Sequence, residues 1–153
     1  YFRNKEELLE SVFAEQWAIL INALRAIDSG PGTAADKIAG IFSFVCDVYK
    51  TAPSAVRVLT LEVTRTPHAL RAGSTRETFE QAVSIVAGVV RQGQHRGEFR
   101  PDLDPAIAAT ALLGALELAV TGMVIGLVPA GSEDQIDRVK RQATELVLGG
   151  LRT

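Results

Sequence analysis

The 153-residue sequence is short of cysteine, of histidine, of aromatic residues and of positive charge: it has one Cys, two His, 6% aromatics, and 16 Lys and Arg against 18 Asp and Glu. Each shortage removes a class of function. A single thiol, Cys46, excludes an intrachain disulfide and reads as a small buried hydrophobe on a helix, since a nucleophile would need a base brought beside it. Neither His68 nor His95 has Cys, Asp or Glu at metal-ligand spacing, so no metal site is expected. A net charge of -2 gives no basic field, and this stretch by itself is a poor nucleic-acid binder. No window alternates like a strand for more than a few residues, so there is no strand-to-helix turn for a glycine-rich phosphate loop. Catalytic residues and cofactors are therefore not expected. The chain opens on Tyr1-Phe2-Arg3 with no initiator methionine and no apolar signal region, and it reads as part of a longer polypeptide.

What is present is ordinary for a globular domain: 47% apolar residues and 22% charged. Helical signals follow one another. Asn4 with Glu7 opens a long amphipathic helix bearing Leu9, Phe13, Trp17, Leu20, Leu24 and Ile27, which ends at Ser29-Gly30-Pro31-Gly32. Thr33 with Asp36 opens a second, with Ile38, Ile41, Phe42, Val45, Val48 and Tyr49 on one stripe. Pro53 suits the first turn of a third, which runs through Val56, Leu59 and Val63 to Thr66-Pro67. A fourth carries Phe79, Val83, Val86 and Val90 and stops between Gly93 and Gly97. Asp104-Pro105 caps a fifth, and Ser132 with Gln135 a sixth bearing Ile136, Val139, Ala143, Val147 and Leu151. With no linker or repeat, the fold class is all-α, one bundle of about six helices. Glu62 and Arg65, three apart on the third helix, are either a pair in a cavity or an exposed ion pair.

Ala106 to Val128 is the one long apolar run. Its length would cross a bilayer core of about 30 Å. Against a membrane stand the central Glu117, the absence of an aromatic belt or positive flank, and soluble amphipathic neighbours. Rows of small residues (Ala111, Ala115 and Ala119; Gly114, Gly122 and Gly126) let helices approach closely. A core or subunit-interface helix is the reading.

Two stretches carry more. In YFRNKEELLESVF, Lys5 sits in a first helical turn, where the macrodipole disfavours a cation but a bound phosphate would suit it. This stretch resembles the junction between the helix-turn-helix head and the first long helix in the TetR family of transcriptional regulators. GEFRPDLDPAIAATALLGALELAV, Gly97 to Val120, is similar to the turn and helix that the family places before its dimerisation segment. The resemblance implies that residues 1–4 are the tail of a DNA-binding head upstream, and that 5–153 form the ligand-binding and dimerisation domain. It implies contact of Tyr1 and Lys5 with operator DNA backbone, a cytoplasmic homodimer, and release of the operator when a small apolar effector binds.

A regulator of that kind needs an apolar cavity with a few polar anchors. The inward stripes offer Trp17, Leu20, Leu24, Phe42, Val45, Cys46, Tyr49, Leu59, Phe79, Val83, Val86 and Leu113, each of which would equally fill a dry core. Glu62, Arg65, Glu117 and Thr121 are the polar candidates; Glu117, costly to bury unpaired, needs a partner, a ligand donor or an edge position. The last two helices are the expected dimer interface, through Ala111, Leu112, Ala115, Leu118, Ala119, Gly122, Met123, Ile136, Val139, Ala143 and Val147, as a four-helix bundle with the symmetry mate. LTLEVTRTPHALR, Leu59 to Arg71, resembles the branch of the family that senses fatty acyl-CoA, with Arg65 and Arg71 suited to an anionic head; aromatic, terpenoid or drug-like molecules fit the apolar residues as well. A helical interaction module without a ligand, or a small helical enzyme, are the rival classes.

Overall fold

The computed structural model of the chain describes residues 3–57 and 73–153. Five helices are named among them: α1 (Lys5–Ser29), α2 (Ala34–Thr51), α3 (Gly73–His95), α4 (Pro105–Val124) and α5 (Glu133–Leu151). A further helical turn at 53–57 begins where the third helix is expected, with Pro53 in its first turn, and the rest of that expectation lies outside the described residues.

Four helices start at the side chains that the sequence marks as caps. Asn4 Oδ1 accepts from the Glu7 amide at 2.8 Å, and the Glu7 carboxylate reaches back to the amide of Arg3. Thr33 and Asp36 exchange both bonds of a capping box, at 3.1 and 2.9 Å. Asp104 accepts from the amides of Ala106 and Ile107, and Ser132 from that of Gln135. Each bond satisfies an amide that the first helical turn leaves without a partner.

Polar contacts tie the helix ends together. At one end Lys37, only 6% exposed, donates to the Asp28 carbonyl and to Gln92 Oε1, while Gln92 Nε2 donates to Asp28 Oδ1. The end of α1, the start of α2 and the end of α3 therefore meet there. The loop 96–104 closes the same end: Glu98 Oε2 accepts from the Ala35 amide, the Arg100 amide donates to the Leu151 carbonyl, and Phe99 is 1% exposed. Gly97 turns the chain with φ of +73°, a conformation glycine adopts without steric cost. At the opposite end Lys50 of α2 meets Asp137 of α5 at 2.7 Å, and Lys140 bridges Asp137 and Asp47 at 3.3 Å each.

The apolar run 106–128 departs from expectation at its end. Helix α4 stops at Val124. Gly126 takes φ of +78°, and Val128 folds back so that its amide donates to the Gly122 carbonyl. An apolar composition uniform to Val128 hides this stop, which the left-handed glycine sets. Of α4, Ala108, Ala109, Leu112, Leu116 and Val120 are buried against the same chain, whereas Ile107 and Leu118 are 71% and 70% exposed. Length and apolar composition alone would let α4 cross a membrane, yet one of its faces is a wall of the helical core.

Candidate functional site

Burial changes character along the bundle. Near the end closed by Lys37, the side chains of Leu24, Ile38, Val89, Val90 and Phe99 are almost inaccessible. Toward the other end Trp17, Leu20, Val45, Val83 and Leu113, from four different helices, are only half-buried while still packed on that core. Phe79 of α3 stacks at a tilt on Trp17 of α1, with ring centroids 4.6 Å apart, and Phe13 lies 5.7 Å beyond.

Where the two regimes meet there is a small apolar cavity between α2, α3 and α4, lined by Ile38, Ile41, Phe42, Val86, Leu112, Leu113 and Leu116. Its volume is about 10 Å³, room for roughly one water molecule. Among the described residues the lining has no polar side chain, which disfavours a bound water. A small-molecule site needs about 300 Å³ or more, so this space as it stands is too small for an organic ligand.

The expected site residues divide. Leu24, Phe42, Cys46 and Val86 are buried; Trp17, Leu20, Val45, Tyr49, Phe79, Val83, Leu113 and Thr121 are half-buried. Of these Phe42, Val86 and Leu113 line the cavity, and Ile38, Ile41, Leu112 and Leu116 join them. Cys46 and Tyr49 belong to a second apolar cluster with Val120, Met123, Val124 and Ile136. Burial pushes the Cys46 thiol up from its ordinary pKa, which keeps it protonated and unreactive. Glu117 takes the edge position, one of the three places open to it, and is absent from the described cavity lining. It is exposed, because the buried face of α4 carries Leu112, Leu116 and Val120, and position 117 points elsewhere on the turn. Leu59, Glu62, Arg65, Arg71, His68 and Tyr1 lie outside the described residues; Lys5 is exposed in the first turn of α1.

The expected interface also divides. Ala111, Ala115 and Leu118 are exposed and Ala119 half-buried. Leu112, Gly122, Met123 and Ile136 are instead buried in their own chain, Leu112 in the cavity wall and Gly122 against Val128. Val139, Ala143 and Val147 pack on the two clusters of the same chain. An amphipathic helix covers its own core with its apolar stripe first, so the free apolar residues of α5 lie off that stripe, at Leu146, 79% exposed, beside the exposed Gly149 and Gly150.

At the α2–α5 contact Asp137 is held below the ordinary aspartate pKa by its hydrogen bonds from Lys50 and Lys140. The alternating charges Asp47, Lys140, Asp137 and Lys50 thus form a strap between these two helices.

Residues 35–147 match the family described as Tetracyclin repressor-like, C-terminal domain. The chain belongs to that family. Its curated relative, the fatty acid metabolism regulator protein of Bacillus subtilis strain 168, is 26% identical over 125 residues. That match takes in 82% of this chain and 64% of the relative's length. Among solved structures, the transcriptional regulator FadR of Bacillus subtilis, in complex with stearoyl-CoA, superposes with a TM-score of 0.81 at 24% identity, over 99% of this chain and 79% of that one. The ketosteroid transcriptional regulator KstR2 of Mycobacterium tuberculosis does so with a TM-score of 0.78 at 21% identity, over 99% and 75%. This TetR-family domain thus shares its helical fold with those transcriptional regulators.

Proposed function

We propose that this TetR-family domain is the effector-binding and dimerisation part of a cytoplasmic transcriptional repressor, and that its effector is a fatty acyl-CoA. Residues 1–4 then close an upstream DNA-binding head, Tyr1 and Lys5 lie against operator phosphates, and 5–153 form the sensor. The observation that carries the reading is a half-buried apolar set, Trp17, Leu20, Val45, Val83 and Leu113, packed on a core that holds a small cavity whose described lining is wholly apolar. The described lining suits a hydrocarbon, and the polar head is assigned to the side of Trp17. The fatty acid metabolism regulator among its relatives and the stearoyl-CoA held by a structural neighbour support the same ligand class.

The output is a change of DNA affinity, with no chemical step. Helix α1 has 25 residues, roughly 37 Å of rod at 1.5 Å per residue. Its far end is fastened by Asp28, Lys37 and Gln92, so a ligand wedged at Trp17 tilts it about that end and displaces its N-terminus, where the head attaches. The ligand shifts the population toward the conformer it fits, and two heads so displaced no longer match adjacent major grooves. The homodimer that this requires is assigned to the exposed apolar face of α4 and to Leu146 of α5.

Trp17 supplies the test of binding. Titrating full-length protein with palmitoyl-CoA is expected to change tryptophan emission saturably, with a signal absent from a Trp17→Phe control and from a titration with coenzyme A alone. Emission that stays flat, together with no retained ligand after gel filtration, would rule the acyl-CoA reading out.

A further inference from the structure

We infer that Phe42 and Val86 set the maximum length of the hydrocarbon tail that this domain accepts. The inference rests on the acyl-CoA reading and adds the residues that determine chain-length preference. Its ground is the position of the cavity. On one side of it Trp17, Leu20, Val45 and Val83 are half-buried among the buried Ile21, Cys46 and Ala82; on the other, Leu24, Val89, Val90 and Phe99 are packed almost without exposure. That second region is also held by bonds which a sliding tail cannot displace: Lys37 to the Asp28 carbonyl and Gln92, and the Glu98 carboxylate to the Ala35 amide. A tail descending from the Trp17 layer therefore reaches a dead end at the cavity, and the space already unfilled there receives its terminal methyl.

Of the side chains around that space, Phe42 of α2 and Val86 of α3 line it from two helices and are 2% and 1% exposed. They are large enough to stop a chain and fully enclosed, so neither can swing into solvent to let a longer one pass. Leu112 and Leu116 form the third wall. A tail shorter than this distance leaves the cavity dry and loses contact; a longer one must push Phe42 out of a close-packed layer.

The test uses the full-length protein, its operator, and a series of saturated acyl-CoAs that lengthen by one methylene pair at a time, with release of operator at fixed salt as the readout. Phe42→Ala is expected to move the optimum to longer chains, since each further methylene buried tightens binding about fourfold. Val86→Ile, which adds one methylene to the floor and keeps the residue type, is expected to move it the other way, weakening the longest chain that wild type accepts by about fourfold and leaving shorter ones unchanged. Should Phe42→Ala fail to fold, Val86→Ile and its opposite, Val86→Ala, carry the comparison. Wild type that responds to acyl-CoAs while the variants keep its length preference overturns the gauge and spares the effector reading. Wild type that responds to none of the series overturns both.

Discussion

At the scale of single residues, the fold depends on contacts that composition does not advertise. Gly93 is one: a Cβ built there would lie 2.2 Å from Phe99 Cδ2 and 2.9 Å from the Ala34 Cβ. No real pair of carbons approaches so closely, and Phe99, enclosed on all sides, has nowhere to retreat. Gly93→Ala gains up to about 1 kcal/mol of helix propensity but overpacks a rigid site, which costs about 1–3 kcal/mol or more. The net expectation is destabilisation, read as a lower midpoint in urea, with part of it recovered by adding Phe99→Leu. An alanine variant as stable as wild type would show that the 96–104 loop is free to shift. Lys37 is a second such residue. A lysine at that depth is tolerated because its ammonium is hydrogen-bonded twice, and its burial makes it a fastening for three helices at once.

At the scale of elements, the start of each capped helix was legible because capping is local chemistry: Asn4, Thr33, Asp104 and Ser132 each accept from an amide two or three residues on. The direction of the helix faces was less so. Helix α4 is apolar nearly all round, so its periodicity does not say which side meets the core, and Leu112 and Met123, expected at the interface, are buried in their own chain. Helix α5 is amphipathic, and there the stripe from Ile136 to Leu151 packs on its own chain. The signal that was available is Leu146 with Gly149 and Gly150, an apolar and small-residue patch off the stripe. Together with Ile107, Ala111, Ala115 and Leu118 it forms the face assigned to the symmetry mate. Leu118→Asp and Leu146→Asp, at 70% and 79% exposure, are expected to leave helicity intact and to convert a dimer to a monomer in sedimentation at micromolar concentration. A double variant that still sediments as a dimer would move the interface elsewhere.

At the scale of the whole molecule, the bundle is built unequally. One end is closed by the loop 96–104, the Lys37 cluster and a close-packed layer; the other is tied by Lys50, Asp137 and Lys140 beside the buried Cys46, Val120, Met123 and Ile136, and carries the half-buried Trp17 and Phe79. Helix α1 is one rod of 25 residues fastened at its C-terminal end by Asp28, Lys37 and Gln92, an arrangement that suits a ligand-operated lever. The inner layer was legible as a set of apolar stripes, since Trp17, Phe42, Val86 and Leu113 all fall on them. That the described lining of the cavity is wholly apolar was not, because Glu117 and Thr121 share a helix with its walls and only the fold shows that neither lines it. The most direct measurement is the affinity of the full-length protein for its operator at constant salt, with and without saturating palmitoyl-CoA. The account predicts that affinity falls at least tenfold with the acyl-CoA, about 1.4 kcal/mol of coupling, and is unchanged with coenzyme A alone; equal operator affinity in all three conditions would contradict it.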